Sequence, residues 1–72
     1  MEGMIAVRFI GTQKGVPEWG IPTLELFNIT EPGFASHGTT FAMPPGSSDL
    51  ELQVKAYEVE NRWLSVRAEQ VS

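Results

Sequence analysis

The sequence predicts a small all-β domain, a five-stranded barrel or sandwich completed by a long C-terminal hairpin, and two observations carry that expectation. Residues 50–68, LELQVKAYEVENRWLSVRA, place Leu50, Leu52, Val54, Ala56, then Leu64, Val66 and Ala68 at even positions, with Glu51, Gln53, Lys55, Ser65 and Arg67 between them. That is the period of a half-buried strand. Upstream, short runs rich in β-branched and aromatic residues recur at 4–10, 23–29 and 39–43, broken by glycine and proline, the spacing of an all-β chain.

The hairpin has a preferred register. A two-residue turn at Glu60-Asn61 mixes the faces. A three-residue loop Val59-Glu60-Asn61 sets Val54 opposite Val66, Ala56 opposite Leu64, Leu52 opposite Ala68 and Tyr57 opposite Trp63, closing with Glu58 opposite Arg62. Only Glu51 opposite Glu69 repels.

A helix competes for the same residues. Ser48 and Glu51 match a capping box, and Leu52, Ala56, Val59, Trp63 and Val66 follow helical spacing. Such a helix carries a second apolar stripe, Leu50, Val54, Tyr57, Leu64 and Ala68, on nearly its opposite side, and needs cover on both. An α+β sheet with a C-terminal helix is therefore the alternative fold.

The remaining elements follow in order. Residues 4–10, MIAVRFI, carry one charge and read as a central strand buried on both faces, ended by Gly11. Residues 11–22 hold three glycines and two prolines, which make turns and exclude a central strand or a helix. Residues 23–29 alternate imperfectly as a second strand. Residues 30–38 form a loop turning at Pro32-Gly33, and 39–43 give a short third strand stopped by Pro44-Pro45-Gly46. The size expected is that of SH3 or oligonucleotide-binding barrels.

At 72 residues the chain makes one domain, 1–72. A domain of this length buries only about 60% of the surface its unfolded chain exposes, so the core is thin. No cysteine is present, which excludes disulfides and thiolate metal sites. The N-terminus shows neither a basic leader nor a long apolar run, with Met1 or Met4 as start, and the expectation is a soluble, unprocessed, cytoplasmic protein. Nine acidic against five basic side chains give a net charge of −4, which repels phosphate backbones at long range. Hydrophobic content of 42% excludes a wholly disordered chain.

Few residues suggest chemistry. Ser36 precedes His37, the sole histidine, but adjacency in sequence does not make a catalytic pair without a third group to orient the base. No calcium-loop spacing of acids and no glycine-rich phosphate loop is present. Asn28-Ile29-Thr30 matches the glycosylation pattern incidentally. The expectation is no enzyme, no metal and no cofactor.

Four aromatic residues are candidates for partner binding. Trp19 sits in the Pro/Gly-framed loop and Phe34 in the next, each suited either to anchor a partner or to lid a thin core. Tyr57 and Trp63 form a cross-strand pair in the hairpin reading. With Lys55 and Arg67 beside them they are also a candidate stacking platform for single-stranded nucleic acid, although aromatic pairs are ordinary sheet stabilisers. The leading expectation is a noncatalytic protein-interaction module, binding a protein partner or a second copy of itself through the hairpin. The alternative is single-stranded nucleic-acid binding through Lys55, Tyr57, Trp63 and Arg67. No membrane partner is expected.

Overall fold

The structure is a computed structural model that describes residues 4–71, and it corrects the all-β expectation. The fold is α+β, the alternative above: three antiparallel strands, β1 (Val7–Gln13), β2 (Leu24–Ile29) and β3 (Thr40–Met43), followed by one helix, α1 (Asp49–Val71). The sheet is an open meander in the order β1-β2-β3. The five-stranded barrel and its hairpin are absent from the described residues.

Residues expected as a hairpin form a continuous helix of 23 residues. The cap explains how it starts. The Glu51 N–H donates to Ser48 Oγ at 3.2 Å, the N-cap half of a capping box, and the Ser48 hydroxyl donates to the Glu51 carboxylate at 3.1 Å. No glycine or proline interrupts residues 49–71. The proposed turn, Val59-Glu60-Asn61, offers Asn61 as its left-handed residue, but the helix aligns Gln53 and Glu60 to bond residues 5, 35 and 36, which a hairpin does not. The cross-strand pairs Val54 with Val66 and Tyr57 with Trp63 therefore do not form.

The core lies between one face of the sheet and α1. Phe27 and Ile29 from β2, Phe41 and Met43 from β3, and Ile5 from the segment before β1 pack with Ala56 of the helix. Ala56 is fully buried. Its lack of a long side chain lets the helix sit close over Phe27 and Phe41, whose rings stack with centroids 5.9 Å apart. Leu52 and Val59 flank it, so the buried stripe is the helical spacing noted above. β1 is an edge strand with mostly exposed side chains, not the central one expected from residues 4–10. Gly11 does not end it. There the pairing with β2 shifts by one residue, placing Phe9 opposite Phe27 and Gly11 opposite Leu26, a bulge that a φ of +154° at glycine accommodates.

Residues 14–22 are ordered despite their glycines and prolines. Val16 and Ile21 exchange two backbone hydrogen bonds of 2.9 and 3.1 Å, and a single 3-10 turn, Pro17–Trp19, closes the tip.

Two polar side chains of α1 tie the rest of the chain to it. Gln53 receives the Ile5 N–H at 2.8 Å and donates to the Ile5 carbonyl at 2.7 Å, taking the place of a strand partner for a buried residue. Gln53→Ala leaves both groups without that partner. The expected loss is about 2 kcal/mol of unfolding free energy, measured by urea denaturation. The second tie is Glu60, described below.

The described residues contain no helix long and apolar enough to cross a membrane. The radius of gyration, 13.8 Å, exceeds the roughly 11 Å expected of a compact chain of this length. The reason is visible in α1, whose described side chains beyond Trp63 are all exposed: the helix outruns the sheet.

Candidate functional site

β3 is the edge of the sheet opposite β1, and the second half of α1 runs beside it. Between them opens a groove of about 670 Å³. Its floor and one wall come from residues 39–42, its other wall from the helix. Because Ile29 N–H bonds to the Thr39 carbonyl, antiparallel alternation turns the backbone groups of Thr40 and Ala42 toward the groove rather than toward β2. An extended chain lying there finds hydrogen-bonding groups already aligned.

The helical wall is cationic and aromatic. Lys55, Arg62, Trp63 and Arg67 line it, with Val59 and Val66 between. Spacings of seven, eight and twelve residues from Lys55 put these side chains on one helical face. The Arg67 guanidinium lies over the Trp63 ring, 5.1 Å from its centroid, which fixes the ring's orientation. Three of the five basic side chains of the protein line this one groove, and among the described residues no carboxylate lines it. Lys55 meets Glu58 at 3.8 Å, a partly exposed pair too long to hold the lysine firmly.

The four expected partner-binding aromatics are dispersed. Trp63 lines the groove. Tyr57 lies about a third of a turn away around the helix and packs edge to face on Phe34, ring centroids 6.4 Å apart, so the Tyr57 and Trp63 platform is not assembled. Phe34 is half-buried against the core. Trp19 stands on the 3-10 turn, 77% exposed, outside the groove. Of the nucleic-acid set Lys55, Tyr57, Trp63 and Arg67, three members converge and Tyr57 does not. Arg62, which the hairpin register had spent on Glu58, is the member sequence reading missed. Its spacing of seven residues from Lys55 was the available signal.

A second cluster forms under the loop before β3. The Glu60 carboxylate accepts the N–H groups of Ala35 and Ser36, each at 2.8 Å, and the Ser36 hydroxyl as well. Ser36 is fully buried and Glu60 only 9% exposed. The Ser36 hydroxyl bond holds the Glu60 carboxyl below its usual range and the two backbone N–H groups add to this, against burial, which pushes it up. A serine, a carboxylate and the neighbouring His37 thus come close, yet the hydroxyl is spent on the carboxylate and His37 is exposed in the turn. The geometry is a clasp holding loop to helix. Among the described residues no group of three or more acidic, histidine or cysteine side chains is placed to hold a metal ion.

The fold and groove define a small α+β domain without a catalytic motif, built around one prominent C-terminal helix. Comparison with known protein families, curated proteins and solved structures gives no match.

Proposed function

We propose that the protein is a noncatalytic binding module whose ligand surface is the groove between β3 and α1, and that its ligand is a single strand of nucleic acid. The supporting observation is that Lys55, Arg62 and Arg67 line one groove together with Trp63 in a chain whose net charge is −4. Concentrating cations in one open groove of an otherwise acidic protein selects an anionic chain at short range, while the global charge limits nonspecific attachment. Trp63 offers a π-face to a base, and the backbone groups of Thr40 and Ala42 offer base-edge partners. A duplex does not fit the reading, because a groove floored by one strand edge admits a chain, not a helix.

Trp fluorescence tests this directly. In a Trp19→Phe background Trp63 is the sole tryptophan, and titration with oligothymidylate at low salt is expected to quench it. With three phosphates neutralised, log affinity falls against log salt with a slope of about −2. Trp63→Ala is expected to weaken binding about 5- to 150-fold, the equivalent of about 1–3 kcal/mol of stacking. Absence of quenching at low salt removes the reading. Equal competition by polyglutamate transfers the groove to acidic polypeptides instead.

A further inference from the structure

The ring that receives a base in this reading is not bare. Trp63 is half-buried in the groove wall, and the Arg67 guanidinium sits over it, with Cζ 5.1 Å from the ring centroid. Helical geometry accounts for the pairing. Side chains on a helix lean back toward its N-terminus, so Arg67, four places after Trp63, reaches over the indole, while the same lean points Trp63 toward Val59, four places before it. Val59 is packed against the core. The ring therefore lies between a core-packed turn on one side and a single guanidinium on the other, and a base cannot share with that guanidinium the face it covers.

We propose that Arg67 is the specificity-determining residue of the groove: it covers Trp63 in the free protein and yields the ring to a base only when a phosphate of the same strand takes the guanidinium. The inference rests on the nucleic-acid reading and narrows the ligand to a phosphodiester strand, as against a free nucleoside or another flat neutral ring. Relative strengths decide the exchange. A guanidinium on an exposed aromatic face gains only about 2- to 5-fold in an equilibrium constant. A stacked base gains about 5- to 150-fold, and a guanidinium forked onto a phosphate makes two charge-assisted hydrogen bonds of the strong kind. With a strand present, both gains offset the contact that is lost. With a bare base only the stack is gained, and the lost contact is subtracted from it.

The position suits a moving arm. The described side chains of α1 beyond Trp63 are all exposed, so Arg67 swings from ring to phosphate without disturbing the packed end of the helix. Arginine is also the side chain that makes both contacts well, since its planar head stacks on an aromatic face and fits a phosphate with two parallel donors.

Thymidine and oligothymidylate, titrated against the Trp19→Phe protein with and without Arg67→Ala and followed by Trp63 fluorescence, test the exchange. The substitution is expected to act with opposite signs on the two ligands. Thymidine, which has no phosphate, is expected to bind about 2- to 5-fold tighter to the variant. Oligothymidylate is expected to bind it more weakly at low salt, with the slope of log affinity on log salt falling in size from about −2 to about −1.4, one phosphate contact fewer. A thymidine affinity that is unchanged makes Arg67 a phosphate contact only, and one that is lowered places guanidinium and base in one stacked column; either result overturns the proposal. Acrylamide, a neutral quencher, reads the cover without any nucleic acid. The ligand-free protein is expected to be quenched less than its Arg67→Ala form, and equal quenching of the two overturns the proposal as well. Failure of oligothymidylate to quench Trp63 removes the nucleic-acid reading and this inference with it, whereas strand binding with no gain for thymidine removes this inference alone.

Discussion

Glu60→Ala is expected to lower the unfolding free energy by about 3 kcal/mol, the effect of leaving the buried N–H and hydroxyl of Ser36 and the partly buried N–H of Ala35 without their acceptor. The carboxylate accepts the Ala35 N–H, the Ser36 N–H and the Ser36 hydroxyl together, and Ser36, fully buried, has no water to turn to. Glu60→Gln keeps the volume but swaps one acceptor oxygen for an NH₂ that faces another donor, so it is expected to recover little of the loss. Net stability near 4–10 kcal/mol is normal for a chain of this length. The variant is therefore expected to melt about 12–24 °C lower, as followed by calorimetry. A shift within a degree or two of wild type would show that the loop is not held by this clasp.

The same contact makes stability depend on acid. The folded Glu60 carboxyl sits below its ordinary value of 4.5, so unfolding takes up a proton in the interval between the two values. The clasp's contribution is complete at neutral pH and is lost as pH falls below about 4.5 toward the folded value. Denaturation midpoints measured from pH 7 downward are expected to fall more steeply for wild type than for Glu60→Ala, and the two curves are expected to converge in acid.

Gly15→Ala is expected to be nearly as damaging, at about 3 kcal/mol, by a different cause. A Cβ at this buried position would stand 2.3 Å from the Ile21 carbonyl oxygen and 2.3 Å from the Pro22 carbonyl carbon. Both neighbours are backbone, and the Val16 and Ile21 bridge holds them in place, so neither can swing aside as a side-chain tip would. The Gly15 N–H also donates to Thr23 Oγ1 at 2.9 Å, and any retreat of the chain breaks that bond. Urea denaturation of the variant is the measurement. A loss below about 1 kcal/mol would mean that the loop relaxes freely.

Much of the sheet is legible in the sequence. The runs at 23–29 and 39–43 become β2 and β3 nearly as bounded, since β-branched and aromatic residues between glycine and proline leave little choice. Residues 4–10 mislead on position: their apolarity suggests a central strand, but the strand begins at Val7, passes through Gly11 and lies at the edge. The C-terminal segment misleads on type. Its two helical stripes, Leu52, Ala56, Val59, Trp63 and Leu50, Val54, Tyr57, Leu64, interleave so that even positions are apolar over short windows, and a period of two emerges from two periods of 3.6.

The groove divides in the same way. Lys55, Trp63 and Arg67 are identifiable as residue types suited to an anionic partner, whereas their convergence depends on a helix that also brings Arg62 and turns Tyr57 away toward Phe34. By itself the sequence determined the strands β2 and β3, the Ser48 cap and both apolar stripes of the C-terminal segment, because each is set by neighbours within a few residues. Only the tertiary structure decided that this segment is a helix, since the burial of Ala56 and the bonds of Gln53 and Glu60 to residues 5, 35 and 36 are made across the chain. Contacts so distant in sequence leave no local period to read.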